Sequence, residues 1–124
     1  MITDFHVEPV AGSFDVRAIE ARLAELRFAV RDDQMSNRFM LVDDAASARR
    51  AIEKQRIGAA FAAAMVLVND HRITVAHRGD GRVALRALLT GLAADQPVRY
   101  LDESFRDITA SVGGELDVLL GAAP

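Results

Sequence analysis

The segment from Arg78 to Arg82 holds the residue types best suited to chemistry in this chain. It places two arginines and two glycines between a predicted strand and a predicted helix. Backbone amides and the helix dipole at such a junction favour an anion, and glycine lets the backbone come close to a phosphate. Either arginine would add charge-assisted hydrogen bonds. We therefore predict a candidate anion site made of Arg78, Gly79, Gly81 and Arg82.

The opposing interpretation of this segment is a glycine-rich turn that serves the fold. Asp80 is placed to cap the following helix, and its carboxylate would then occupy the amides that a phosphate needs. Neither a P-loop nor a complete dinucleotide-binding glycine fingerprint is present in the sequence. Both interpretations stay open at this point.

Locally, Arg78 to Gly81 followed by Leu85, Leu88 and Leu89 resembles the acyl-CoA pyrophosphate loop of the GNAT family of N-acetyltransferases. In that family an Arg/Gln-x-x-Gly-x-Gly/Ala motif joins a strand to a helix, whereas arginine and valine occupy the second half of the glycine motif here. The resemblance implies an enzyme that binds acetyl-CoA or another phosphate ligand as its cofactor. The four residues of the candidate anion site would contact the pyrophosphate, and no catalytic base is assigned.

Three histidines are scattered along the chain. We expect His6 to face solvent from a strand and His71 to lie in a turn. His77 ends a strand on the predicted core face, where it is either a proton-transfer group beside Arg78 and Asp80 or a hydrogen-bonded structural histidine. Their spacing matches no metal site and no Ser-His-Asp triad, so no metal ligand is assigned and the catalytic residues stay unknown.

A predicted hairpin in the middle of the chain positions the candidate anion site. Phe61 to Val68 is an apolar run whose second half is rich in β-branched residues, which is typical of a buried strand. Arg72 to His77 alternates polar and apolar residues. Asn69 and Asp70 suit a two-residue turn, which would place the last valine of the first strand opposite His71.

The start of that first strand is ambiguous in the sequence. Alanine dominates Ile57 to Ala64, and alanine is the best helix former, so the preceding helix could continue into this stretch. Gly58 favours an end of the preceding helix at this point, because glycine is common just past a helix end.

The two faces of the hairpin differ in polarity. One face carries alanine, valine and isoleucine and is expected to pack in the core. The other carries Met65 and Leu67 beside Arg72 and Thr74, and is too apolar to leave open yet too polar to bury fully. We expect another part of the chain or a second subunit to cover it, and we predict these four residues as an interface.

Periodicity in the rest of the chain predicts an α+β fold. Further strands are expected over residues 4–10, 27–31, 38–42 and 98–101, and helices over residues 15–26, 45–56 and 83–92 and from Ser104 onward. Ala48, Ile52 and Gln55 would form the apolar stripe of the second helix. Phe105 and Ile108 would lie on the buried side of the last helix, which Gly113 and Gly114 either kink or break.

The predicted order of elements matches a ferredoxin-like βαββαβ core followed by a C-terminal βαβα extension. We therefore predict one α+β domain over residues 1–124, built as a two-layer sandwich with a mainly antiparallel sheet. That architecture carries no function by itself.

Composition narrows the classes of function. At 124 residues the chain fits one domain with a real core, and its 51% hydrophobic and 27% charged residues are ordinary for a globular protein. The absence of cysteine excludes disulfides, thiolate nucleophiles and sulfur-based zinc sites. A net charge of -3 argues against nucleic-acid binding, and the apolar run is too short to span a membrane.

The sequence lacks a secretory signal, which predicts a cytoplasmic protein. Arginine dominates the basic residues and alanine is plentiful, which indicates a GC-rich bacterial coding sequence. Our leading hypothesis is a small protein-interaction or regulatory domain that binds a protein partner or forms a homodimer. The alternative hypothesis is a phosphate- or acyl-CoA-binding enzyme that uses the segment from Arg78 to Arg82.

Overall fold

The structure, a computed structural model, describes residues 4–26, 29–32, 35–57, 64–77 and 81–121. Its strands are β1 (Asp4–Pro9), β2 (Ala29–Arg31), β3 (Arg38–Leu41), β4 (Ala64–Val68), β5 (Ile73–Ala76) and β6 (Val98–Asp102). Its helices are α1 (Val16–Glu25), α2 (Ala45–Ile57), α3 (Arg82–Asp95), α4 (Thr109–Val112) and α5 (Asp117–Leu120). The strands form one sheet in the order β2-β3-β4-β5-β1-β6.

The predicted α+β class, the antiparallel sheet and the order of elements are confirmed. The predicted extension contributes to the same sheet as the core, since β1 pairs with β5 on one side and with β6 on the other. All strand pairs within the described residues are antiparallel.

The main core lies between one face of the sheet and helices α1 and α3. Alternate strand residues such as Phe5 and Val66 face it and are fully buried, as the two-residue period of a strand requires. α3 contributes a stripe of leucines, as its sequence predicts: Leu85, Leu88, Leu89 and Leu92. Asp15 caps α1 by accepting a hydrogen bond from the amide of Ala18 at 3.1 Å.

A smaller apolar cluster lies on the opposite face of the sheet, under α2. Met40 and Val42 pack there with Ala51, and Met65 of β4 packs against the edge of the cluster. The predicted stripe of α2 was wrong at Ile52, whose side chain is 40% exposed. The buried positions of α2 carry small residues, Ser47 and Ala51, and small side chains let the helix approach the bulky residues of β3.

The predicted register of the central hairpin was wrong by two residues. Val68 pairs with Ile73, so Asn69 to Arg72 form a four-residue turn closed by a 3.0 Å hydrogen bond from the Asn69 amide to the Arg72 carbonyl. The predicted faces are nevertheless correct, because a shift of two residues keeps every side chain on its own face. Gly58 and Phe61, on which the predicted helix end and strand start depend, lie outside the described residues.

The predicted helix from Ser104 was also wrong, since the first helical residue after β6 is Thr109. Gly113 and Gly114 separate α4 from α5 and have φ values of 55° and 80°. The last helical segment is therefore broken rather than kinked, because two successive residues in the left-handed region cannot continue an α-helix. No helix within the described ranges is long and apolar enough to cross a membrane.

Candidate functional site

Two of the four residues of the candidate anion site, Gly81 and Arg82, are described, and both make contacts within the fold. Gly81 immediately precedes α3, has a φ of 84° and is buried, and a Cβ atom at this position would overlap the carbonyl oxygen of Leu41. The glycine thus allows α3 to start directly against β3. Arg78 and Gly79 lie outside the described residues, so the anion site stays a prediction.

Arg82, the fourth predicted member of that site, points toward the end of α5. Its Nη1 donates a 3.0 Å hydrogen bond to the carbonyl of Leu120. His77 Nε2 lies 3.0 Å from the carbonyl of Leu119, and Arg86 Nη2 donates at 3.0 Å to the carbonyl of Gly121. Three side chains thus satisfy consecutive carbonyls at the C-terminus of α5, where positive charge is favoured.

His77 is fully buried, and Arg78 and Asp80, on which the proton-transfer alternative depends, lie outside the described residues. The Leu119 carbonyl can only accept a hydrogen bond, so Nε2 carries the proton. The imidazole also meets the ring of Phe5 edge to face, with centroids 6.0 Å apart. The described contacts of His77 therefore fasten α5 to the sheet.

Among the described residues, α2 and its apolar cluster lie over β2, β3 and β4 on one face of the sheet. On β4, Met65 packs against the cluster under α2, and Met65 and the next residue on that face, Leu67, are both half-buried. Leu67 pairs with Thr74 on β5, and Thr74 pairs with His6 on β1. We call this part of the sheet, with the loop over it, the open face and define it by six residues: His6, Glu8, Leu67, Arg72, Thr74 and Phe105.

His6 was predicted to face solvent, but the structure places it in a cluster of side chains. Its Nδ1 lies 3.1 Å from Oγ1 of Thr74. Its ring stacks on Phe105 with centroids 4.3 Å apart and planes 10° from parallel. Partial burial, followed by the nearby Arg72 guanidinium, lowers the pKa of His6 below its ordinary value of 6.5.

Phe105 belongs to the loop that follows β6, and its side chain is 52% exposed. Asp102 shapes this loop, because Oδ1 accepts hydrogen bonds from the amides of Ser104 at 2.9 Å and Arg106 at 3.0 Å. These hydrogen bonds hold the pKa of the Asp102 carboxyl below its ordinary value. Such bonding offers the backbone an alternative to a helix, which explains why the predicted helix does not begin at Ser104.

Arg72 links the hairpin, β1 and the loop. Its Nε and Nη2 donate hydrogen bonds of 2.9 and 2.7 Å to Oε2 of Glu8. Its guanidinium carbon also lies 4.6 Å from the centroid of the Phe105 ring, within the range of a cation–π interaction. Arg72 therefore holds both the Glu8 carboxylate and the Phe105 ring in place on the open face.

The structure brings together three of the four predicted interface residues: Leu67, Arg72 and Thr74. Met65 shares their face but lies at the edge of the cluster under α2. His6, Glu8 and Phe105 were missed as site residues. The alternation of β1 does place His6 and Glu8 on one face, but only the pairing of β1 with β5 shows that this is the face of Thr74.

The open face combines a half-exposed aromatic ring and an arginine, two residue types that are enriched in protein interfaces, with a paired carboxylate, a type that is depleted there. Among the described residues, no three histidine, aspartate or glutamate side chains form a group that could hold a metal ion. Comparison of this chain with models of protein families, with curated proteins and with solved structures finds no match.

Proposed function

We propose that this chain is a protein-binding domain whose contact surface is the open face. Binding through such a surface would suit an adaptor, a regulatory subunit or an inhibitor of another protein. The observation that carries the proposal is Phe105, an exposed aromatic residue held in a left-handed backbone conformation over a partly covered sheet.

The backbone of Phe105 has a φ of 64°, and it is the non-glycine residue with positive φ within the described ranges. For a bulky residue this conformation costs on the order of 1–3 kcal/mol. Glycine or asparagine would avoid most of that cost, and the half-exposed ring gains only part of the energy of burial. The stability of the fold therefore explains poorly why residue 105 is a phenylalanine, whereas a role in binding explains it directly.

The surroundings of Phe105 match the centre of a protein interface. Aromatic residues and arginine are enriched where binding energy concentrates, and a polar rim surrounds them. Arg72 and His6 hold the ring in one position, so little conformational entropy is lost when a partner covers it. Leu67 supplies further half-buried apolar surface in the same face.

The test replaces Phe105 by glycine, which removes the ring and relaxes the backbone, so we expect the fold to persist. Val83 on α3 is 62% exposed, and Val83→Ala is the matched control because it trims an exposed apolar side chain outside the open face. Each purified variant is immobilised, exposed to a lysate of the cells that express the chain, and the retained proteins are quantified by mass spectrometry.

We expect the wild type and Val83→Ala to retain the same partner and Phe105→Gly to lose it at least tenfold. Equal retention by all three proteins would show that the open face is not the contact surface. Circular dichroism and thermal unfolding of each variant exclude loss of fold as the cause.

A further inference from the structure

We propose that a cavity between α1 and α3 binds a free basic α-amino acid, lysine or arginine. The cavity lies in the helix layer, on the side of the sheet opposite to the open face, so this inference does not rest on the proposed function. Its volume is about 210 Å³. Pockets for drug-sized ligands begin at roughly 300 Å³, so this cavity suits a smaller molecule.

The lining of the cavity combines a buried apolar wall with a charged rim. The lining includes three apolar and three charged side chains: Phe14, Ile19, Leu92, Asp15, Arg22 and Asp95. The three apolar side chains are buried, whereas the three charged ones are partly or largely exposed. A mainly apolar wall with a few polar groups that fix orientation is typical of a site for a small molecule.

Arg22 occupies the rim at a cost to the stability of the fold. Its Nη2 pairs with Oδ2 of Asp95 at 2.5 Å, but its Nη1 is buried and has no hydrogen-bond partner among the described residues, which is unfavourable for a donor. Gly91, in the interior of α3, is also unfavourable, and a Cβ there would overlap Nη1. Two departures from local rules that together admit one guanidinium indicate a role beyond folding.

The ion pair of Arg22 with Asp95 is complementary to the head group of an α-amino acid. A guanidinium has five donors and binds a carboxylate through two of them. Asp95 is the last residue of α3, where the helix dipole favours positive charge, so an ammonium group is favoured there by the carboxylate and by the helix end. A ligand with a carboxylate and an ammonium on one carbon therefore meets both partners at once.

Asp15 gives the reason for a basic side chain. It is the N-cap of α1, about two turns and thus about 10 Å from Arg22 along the helix, with Ile19 between them. The four-carbon stem of a lysine would lie along Ile19, and its ammonium would reach Asp15, whose Oδ1 caps the helix while a carboxylate accepts several hydrogen bonds. Two carboxylates and one guanidinium leave an excess of one negative charge, which a basic amino acid balances.

The exposure of the ion pair indicates weak, reversible binding. The side chains of Arg22 and Asp95 are 32% and 57% exposed, so water and salt weaken their attraction to a charged ligand. We therefore expect a dissociation constant of about 0.1–1 mM for L-lysine.

The experiment is a titration of the isotopically labelled chain with L-lysine up to about 10 mM, followed through its amide signals by nuclear magnetic resonance. Cadaverine differs from lysine only in lacking the carboxylate, and L-norleucine only in lacking the side-chain ammonium. We expect L-lysine to shift the amide signals of Gly91 and Arg22 saturably. Both analogues should bind at least tenfold more weakly.

Three substitutions assign the binding to the proposed residues. Arg22→Ala removes the guanidinium and Gly91→Ala displaces it, so both should weaken L-lysine binding at least tenfold. Asp15→Asn keeps a residue that caps helices well but removes the charge, so this variant should bind L-lysine no more tightly than L-norleucine. Arg49→Ala, which removes an exposed arginine of α2, is the matched control and should bind like the wild type.

A wild type without saturable shifts overturns the inference, as does L-norleucine that binds as tightly as L-lysine. Unchanged binding by Arg22→Ala would overturn it too. The spectrum of each variant reports its fold, and if Arg22→Ala or Gly91→Ala unfolds, Asp15→Asn still decides. These outcomes are independent of whether Phe105→Gly loses a protein partner, because the open face lies across the sheet.

Discussion

Arg82, a predicted anion-site residue, donates a 3.0 Å hydrogen bond to the carbonyl of Leu120 and so contacts the C-terminal helix. We expect Arg82→Ala to lower the free energy of unfolding by about 1 kcal/mol, because a charged donor to a partly buried carbonyl is lost. At this length that is a decrease in melting temperature of about 4 °C, measured by differential scanning calorimetry.

Arg49→Ala on the exposed side of α2 is the matched control and should change the melting temperature little. The anion hypothesis predicts the opposite pattern for Arg82. If Arg82→Ala keeps the wild-type melting temperature but abolishes a thermal shift with acetyl-CoA or phosphate, Arg82 belongs to a ligand site. A stability loss without any ligand response assigns it to the fold.

The lowered pKa of His6 predicts that acid destabilises the protein through the open face. Burial and Arg72 disfavour the protonated ring, and Glu8, Asp102 and Asp4 oppose this only in part. Below pH 6.5 the unfolded chain therefore binds more protons at this histidine than the folded chain does, so stability falls with pH. The loss begins as the pH falls through 6.5 and is complete below the folded pKa.

His6→Gln isolates this contribution, because glutamine keeps a polar partner for Thr74 and does not titrate. We expect the melting temperature of the wild type to fall more than that of His6→Gln between pH 7.5 and pH 5. His71 is exposed in the hairpin turn, and His71→Gln should follow the wild type. Parallel curves for the wild type and His6→Gln would contradict the prediction.

Strand and helix positions could be predicted because their signals are local. The leucine stripe of α3 and the alternation of β5 depend on residues close in sequence, and both elements are buried where the pattern requires. The hairpin faces were right even though the register was wrong, since Val68 keeps its face under a shift of two residues. The pairing of β1 with β5 and β6 joins distant segments, and no local pattern specifies it.

The candidate site was only partly predictable for the same reason. Leu67, Arg72 and Thr74 follow from one hairpin, so their common face could be deduced. Phe105 fits a helical pattern, and the hydrogen bonds of Asp102 to the loop override that pattern. The site assembles only when this loop folds over His6, a contact between opposite ends of the chain.

Gly91 in α3 lies against the side chain of Arg22, which forms an ion pair with Asp95. Gly91→Ala should gain about 0.8 kcal/mol from helix propensity. Its Cβ would lie 2.9 Å from Cζ of Arg22, so the guanidinium must move and the exposed ion pair, worth about 0.2–1 kcal/mol, is weakened. The two effects are similar in size, and we expect a net change in unfolding free energy near zero.

A double-mutant cycle separates the gain in helix propensity from the weakening of the ion pair between Arg22 and Asp95. In an Arg22→Ala background the obstruction is gone, so Gly91→Ala should stabilise by its full propensity of about 0.8 kcal/mol. Urea denaturation of the four proteins measures the coupling. An equal gain in both backgrounds would mean that Arg22 accommodates the added methyl group without loss.

Gly81 and Gly12 form a matched pair, because both have positive φ, 84° and 72°, but different surroundings. Nothing lies within 4 Å of a Cβ at Gly12, whereas a Cβ at Gly81 would overlap the Leu41 carbonyl. Gly12→Ala should therefore lower the free energy of unfolding only by the strain of a positive φ at alanine, about 1 kcal/mol. In Gly81→Ala the added methyl group must also push α3 away from β3. We therefore expect the free energy of unfolding to fall by more than about 3 kcal/mol.

Urea denaturation of both variants tests this pair, with circular dichroism at zero denaturant as a check on folding. A protein that is largely unfolded in buffer agrees with the prediction for Gly81→Ala. If the two substitutions cost the same, the close approach of Gly81 to Leu41 contributes nothing beyond backbone strain. Gly81 would then be available for a role other than packing, and the anion hypothesis for this segment would gain support.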